Sequence, residues 1–229
     1  MTETQLTDDA RGATRGDGTR RRLLAAGLRL FATHGYEGVS TRALAAEAGA
    51  NLAAINYHFG GKRALYLAVA DDIAGHLRDI AGPARQHLPR ALETAGDDRA
   101  ALARAARGFV TALVGGMIGE TADRARVGFV MREDAQPGPG FPVLYERAIE
   151  PLHQAMAALV GAARGQPAEA PESILEAHAL IGQVIAFAIA RPVICRRLDW
   201  DDYTPARGAQ IADTVATMTL GALGLADAA

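Results

Sequence analysis

Residues 40–62 read STRALAAEAGANLAAINYHFGGK, and this stretch decides the fold. Residues 41–48 are predicted helical, with Leu44, Ala45 and Ala48 on one apolar face. Gly49 supplies a break, and Asn51 is placed to cap a second helix running to about His58. A helix that ends at glycine, followed within a few residues by a capped helix, is the signature of a helix-turn-helix. In that motif the second helix lies in the major groove of DNA. The stretch therefore implies a DNA-binding protein, and the remaining chain must explain what controls it.

Upstream, residues 18–40 read GTRRRLLAAGLRLFATHGYEGVS. Thr19 can cap a helix ending at His34, with Gly35 as its left-handed exit. Leu24, Leu28 and Phe31 fall on one stripe of that helix. Arg20, Arg21 and Arg22 would occupy its first turn, where the macrodipole disfavours cations. DNA phosphate and plain solvation are both open as what holds them there. Residues 1–18, acidic and scattered with glycine and threonine, are predicted to be a disordered tail.

Downstream, a Gly60-Gly61 turn leads into a long helix over residues 62–81. Leu65, Val69, Ile73, Leu77 and Ile80 form its stripe, and Gly82-Pro83 ends or bends it. Further helices are predicted over residues 85–94, 99–119, 123–134, 144–163, 171–190 and 206–223, with the loop QPGPGFP at 136–142. No segment alternates polar and apolar residues as a strand does, and no internal repeat is evident. The expected fold is all-α: a tail at 1–18, a three-helix DNA-binding domain at 19–63, and a helical effector-binding and dimerisation domain at 64–229.

Composition agrees with this division. The 229 residues are 49% hydrophobic but only 5% aromatic, which favours alanine-rich helices over sheets. The net charge of −2 hides an asymmetry. Residues 11–63 hold nine Arg or Lys against three Asp or Glu, while residues 64–229 hold fifteen against twenty. A basic N-terminal quarter on an acidic body suits a protein of which one end meets phosphate. No uninterrupted apolar run of membrane-spanning length occurs, so no membrane partner is expected. The single cysteine, Cys195, excludes an internal disulfide framework and fits a reducing cytoplasm.

The run RRLLAAGLRLFATHGYEGVSTRALAAEAGANLAAINYHFGGKRALYLAV, residues 21–69, resembles the N-terminal domain of TetR-family transcriptional regulators throughout. The shared pattern comprises F-x-x-x-G-Y, a Val-Ser step, A-x-x-A-G, an aromatic-His-Phe exit and a lysine opening the fourth helix. The resemblance implies phosphate contacts from Thr41, Arg42, Tyr57, His58 and Lys62. Lys62 is the only lysine in the chain. The resemblance assigns base reading to Asn51, Leu52, Ala53, Ala54 and Asn56, with Ile55 and Phe59 facing the core. Asn56 could pair with an adenine edge and Leu52 with a thymine methyl. Asn51 can equally be only a helix cap, and Asn56 only a solvated residue. The same helix and the segment VGFVMREDAQPGPGFPVLYERAIEPLH, residues 127–153, are similar to the CecR-like branch, whose members control efflux and other transport genes.

A palindromic operator on double-stranded DNA requires two copies of the motif, hence a homodimer. The last two predicted helices offer apolar and small residues for it: Ile174, Ile181, Gly182 and Ile185 on one, Ile211, Val215, Met218 and Ala222 on the other. Packing within the chain is the alternative. The helices between residues 99 and 163 are expected to enclose an unknown small-molecule effector. Phe109, Leu113, Met117, Phe129, Met131 and Tyr145 are its candidate lining, with Arg132 and His178 as polar contacts. Each could instead be plain core, and Arg132 could pair with Glu133. An all-α enzyme or small-molecule carrier, in which the helix-turn-helix is secondary, is the competing class. Cys195, His178 and Asp199 are its only thiol-based set, and no base is spaced beside Cys195. The six histidines show no tight ligand spacing, so neither a metal nor a cofactor is expected.

Overall fold

The structure is a computed structural model that describes residues 3–118 and 123–228, with side chains from Asp17 onward. Among the described residues every regular element is helical. The order is α1 (Glu3–His34), α2 (Thr41–Glu47), α3 (Leu52–Phe59), α4 (Lys62–Ala95), α5 (Arg99–Ile118), α6 (Arg124–Ala135) and α7 (Phe141–Leu144). A π-helical turn (Tyr145–Ile149) leads into α8 (Glu150–Arg164), followed by α9 (Pro171–Ile189), α10 (Arg191–Leu198) and α11 (Pro205–Ala222). The all-α expectation holds.

The chain divides into two compact units. The first comprises residues up to Ile73 together with Arg124–Leu144, so besides the expected 19–63 it takes in the preceding segment, the start of α4, and α6 and α7. Its mainly aliphatic core includes a cluster of aromatic rings. Phe31 and Tyr66 meet edge to face at 4.7 Å between ring centres, Tyr36 meets Tyr66 at 5.1 Å, and Phe129 on α6 lies 4.9 Å from Tyr66. On α1 the buried stripe is Leu23, Ala26, Gly27 and Phe31, whereas Leu24 and Leu28 are only half-buried. Leucines surround this helix, so periodicity alone left its inner face ambiguous. The small residues mark the true face: a Cβ at Gly27 would sit 3.0 Å from Val69 Cγ2 on α4.

Two expectations for the N-terminus change. The segment read as a disordered tail carries helical backbone from Glu3 onward, continuous with α1. No proline interrupts residues 1–34, and a helix tolerates isolated glycines at about 1 kcal/mol each. Thr19 is therefore not an N-cap; its Oγ1 accepts from the Arg22 guanidinium at 3.2 Å. Arg20 to Arg22 consequently stand mid-helix, where the unfavourable dipole of a first turn does not reach them.

The second unit comprises Ala74–Asp123 and Tyr145–Ala229. Its central helix, α5, buries Leu102, Ala106, Phe109, Val110, Leu113 and Val114. These pack against Ile211, Val215, Ala216 and Leu220 of α11 and against Leu180, Ile181 and Val184 of α9. Gly116 permits the close approach of α4 and α5, because a Cβ there would overlap the Ile80 side chain. Pro83 and Pro89 lie inside α4, so the predicted break at Gly82-Pro83 and the separate helix at 85–94 are one continuous element. Each proline removes one backbone bond, and the alanines, arginines and glutamine around Pro83 carry the helix through. Helix α10 was not expected, since Arg191-Pro192 reads as a stop. Proline at the first positions of a helix loses only a donor that is unpaired anyway, so Pro192 opens α10. The expected end of the fifth helix at Gly119 lies outside the described residues.

Two helices, Arg99–Ile118 and Pro171–Ile189, are long and apolar enough to cross a membrane by length and composition. In α5 the apolar surface faces the core just described. In α9 a smaller share is buried, 28%, and Ile174, Leu175 and Ile189 stand exposed among the described residues.

Candidate nucleic-acid interface

The motif is built by local hydrogen bonding. Ser40 is extended at φ −90° and its Oγ accepts from the Ala43 amide at 3.1 Å, which starts α2. Gly49 adopts φ +57°, the left-handed turn that separates the two helices. Asn51 then repeats the capping move for α3, its Oδ1 accepting from the Ala54 amide at 2.8 Å. Leu44, Ala45 and Ile55 are buried, and they fix the inner faces of α2 and α3.

Long side chains from α1 and α2 brace this arrangement. The Arg22 Nε donates to the Ala48 carbonyl at 3.1 Å, filling an acceptor that α2 leaves open at its end. Arg29 pairs with Glu47 at 2.8 Å, and the Arg20 guanidinium lies 5.2 Å from the centre of the Phe59 ring. Arg20 and Arg22 therefore hold the motif together. Their sequence spacing carried no sign of these partners.

The outward face of α3 is what this bracing presents. Leu52 is 49% exposed and Tyr57 85% exposed, and Ala53 and Asn56 are exposed beside them. Thr41 and Arg42 stand at the amino end of α2, where unpaired amides and the helix dipole favour anions. Tyr57 and His58 meet edge to face at 4.9 Å at the far end of α3. Lys62 opens α4, its Nζ 4.3 Å from the centre of the Tyr36 ring. Thr19, Arg22, Asn51, Ala54, Tyr57 and His58 border an open concavity between α1 and α3. Of the ten residues expected from sequence at DNA, Asn51, Ala53, Ala54, Tyr57 and His58 border that concavity, and all ten belong to the first unit. Asn51 is occupied as a cap.

The other expected sites divide differently. Phe109 and Leu113 are buried in the second unit and Met117 packs against its core, whereas Phe129, Met131 and Arg132 belong to the first unit. Phe129 stacks on Tyr66, and Arg132 donates to the Ala32 and Thr33 carbonyls rather than pairing with Glu133. Tyr145, 42% exposed, starts the π-helical turn, which precedes a proline, Pro151, that lacks a backbone donor. His178 is exposed, its ring 5.3 Å from that of His153. Of the residues assigned to a dimer interface, Ile181, Ile211 and Val215 are core within the chain and Ile185 is half-buried. Ile174 and Met218 are 48% and 54% exposed, and Gly182 and Ala222 are exposed with them. No hydrogen bond joins Cys195, His178 and Asp199 among the described residues. Those residues also hold no group of three or more His, Cys, Asp or Glu able to bind a metal.

Comparison with known proteins matches two stretches of the chain to known families. Residues 23–69 match the family described as bacterial regulatory proteins, tetR family. Residues 102–224 match the C-terminal domain of the HTH-type transcriptional dual regulator CecR. The CecR protein of Shigella flexneri is 33% identical over 205 residues, covering 88% of this chain and 89% of that one. The transcriptional repressor AcnR of Corynebacterium glutamicum is 39% identical over 62 residues, 27% of this chain and 33% of its own. Among solved structures, AibR in complex with isovaleryl coenzyme A and operator DNA superposes with a TM-score of 0.59 at 17% identity, covering 87% of this chain and 97% of that one. A transcriptional regulator from Rhodococcus sp. Rha1 gives 0.57 at 19%, covering 89% and 96%. These structural likenesses establish the fold, and the sequence matches establish the lineage. The chain belongs to the tetR family of bacterial transcriptional regulators, with a C-terminal domain of the CecR type.

Proposed function

We propose that this regulator is a homodimer that grips a palindromic operator through two copies of α3 and is released by a small molecule. The carrying observation is the outward face of α3. It exposes Leu52, Ala53, Asn56 and Tyr57 between the cationic or dipolar anchors at Thr41-Arg42 and His58-Lys62. The helix holds no arginine or lysine, so contacts to the DNA backbone supply most of the affinity and Asn56 and Leu52 the base discrimination. The exposed apolar stripe of α9 and Met218 of α11 support dimerisation, since a soluble monomer seldom leaves such a face uncovered. AibR, whose crystal structure holds both isovaleryl coenzyme A and operator DNA, supports release by a small molecule. Repression, control of transport genes in the manner of the CecR-like branch, and a cytoplasmic location complete the reading.

Titrating the purified protein into a fluorescent inverted repeat from its own promoter, at several salt concentrations, tests it. Affinity should fall steeply with salt, and light scattering should give twice the chain mass. A monomer at micromolar concentration, or binding indifferent to operator sequence, would overturn the proposal.

A further inference from the structure

Arg132 and Glu133 are neighbours on α6, yet they reach two different elements of the DNA-binding unit. The Arg132 guanidinium donates to the Ala32 carbonyl at 3.3 Å and the Thr33 carbonyl at 2.7 Å. These acceptors belong to the last turn of α1, which has no internal donor for them. The stem of Arg132 lies against Gly35, where an added Cβ would be 3.3 Å from its Cδ. Tyr36 follows at once. Glu133 is 2% exposed; its Oε1 accepts from the Tyr66 hydroxyl and its Oε2 from the Gly138 amide at 3.1 Å. Tyr66 stands one turn beyond Lys62 on α4 and braces the Tyr36 ring edge-on, 5.1 Å away. The Lys62 ammonium sits 4.3 Å above the centre of that same ring.

Consecutive residues of α6 thus hold both halves of one contact. Arg132 sets the end of α1 from which Tyr36 projects, and Glu133 sets the turn of α4 from which Lys62 projects. We propose that Arg132, Glu133, Tyr66 and Tyr36 are positioning residues for DNA binding, acting by holding the Lys62 ammonium where a phosphate will meet it. The inference rests on the reading of Lys62 as a phosphate anchor. Its physical basis is pre-organisation: a lysine stem loses rotamer freedom on binding, and a ring that already holds the ammonium removes part of that loss. An ammonium has three donors, so the ring and a phosphate can be engaged together. A partly exposed cation–π contact of this kind corresponds to roughly a three- to fivefold change in affinity.

Because Lys62 is the only lysine, isotope-labelled lysine in the full-length protein gives one side-chain signal, shifted by the Tyr36 ring current. In Glu133→Ala that signal should move toward the position of free lysine. Operator affinity should fall about three- to fivefold, and its salt slope should flatten toward that of Lys62→Gln. The double variant Lys62→Gln/Glu133→Ala should be no weaker than Lys62→Gln, and Glu133→Gln, which can still accept from Tyr66, should restore most of the loss. If Glu133→Ala is unfolded, Tyr66→Phe takes its place with the same expectations, since it keeps the ring and deletes only the hydroxyl. An unmoved lysine signal with unchanged affinity, or losses that multiply in the double variant, would overturn the proposal. A Lys62→Gln protein that binds as well as wild type would instead remove the phosphate-anchor reading, and the bracket with it.

Discussion

The two units are both helical, but they are held by different kinds of contact. In the first, directional groups reinforce an aliphatic core: side-chain caps at Ser40 and Asn51, edge-to-face rings around Tyr66, and a buried carboxylate at Glu133. In the second, alanines and branched aliphatics pack α5 against α9 and α11. Its ion pairs Arg78–Asp79, Arg107–Asp213, Arg164–Glu176 and Arg191–Asp202 each keep at least one side chain exposed to solvent. Directional contacts specify one geometry, which a protein reading base edges needs. Aliphatic packing tolerates substitution and repacking. A damaged first unit should therefore lose DNA directly, whereas the second should influence DNA chiefly through assembly.

The contrast breaks most forcefully at Phe31. It is fully buried beneath Tyr66, and Phe31→Ala should destabilise the protein by about 3–5 kcal/mol and abolish operator binding at growth temperature. Leu159→Ala in α8, equally buried, should lower the melting temperature comparably. Below its midpoint that variant should still bind DNA. Equal loss of binding from both folded variants would erase the distinction between the units.

Gly182→Arg should have the next largest effect. A Cβ at Gly182 meets nothing within 4 Å, so the chain itself can accept a side chain there. The new charge would stand among Ile174, Leu175 and Ala186 on the exposed face of α9. Size-exclusion chromatography with light scattering should show a monomer, and operator affinity should fall on the order of a hundredfold as the second half-site is lost. A dimer that survives the substitution would move the interface away from α9.

Asn51 sharpens the comparison from within the DNA-binding unit. Its side chain is engaged by the Ala54 amide, so Asn51→Ala should cost about 1 kcal/mol of stability through the lost cap. Its effect on binding should be nearly the same for every operator base change. Asn56→Ala, in which the lost side chain is exposed, should instead relax discrimination at one base pair by about 1–3 kcal/mol. A base-specific loss from Asn51→Ala would return Asn51 to the reading surface.

How far the sequence disclosed all this follows the same division. The helix-turn-helix was legible because its caps and glycines are short-range features that occupy fixed places in the chain. The inner face of α1 was not, since leucines ring that helix and the decisive signal was the smallness of Ala26 and Gly27. Helix α10 was missed because a proline is both a helix stop and a helix start. The place of α6 in the first unit depends on Arg132 and Glu133 meeting partners some 70 to 100 residues distant, which no local pattern encodes. The stripes of α9 and α11 were visible. Which of their apolar residues face inward was a matter of packing against α5.

The smallest effect concerns a histidine pair in the second unit, His153 and His178. Burial is the larger cause that pushes the His153 imidazole below its ordinary value of 6.5, and the His178 ring facing it is the second. The folded protein therefore favours neutral His153, while the unfolded chain takes up a proton as the pH falls through 6.5. Below that point the unfolded state binds more protons, so stability is complete at higher pH and declines on acidification. Melting temperatures measured between about pH 7.5 and 5.5 should fall on the acid side, and His153→Gln should flatten the profile. His178→Ala removes the lesser cause and should shrink the slope without abolishing it. A slope that also depends on protein concentration would tie the pair to assembly, because His178 shares the exposed face of α9 with Ile174 and Gly182. A profile identical in all three proteins would show that the two rings do not interact in solution.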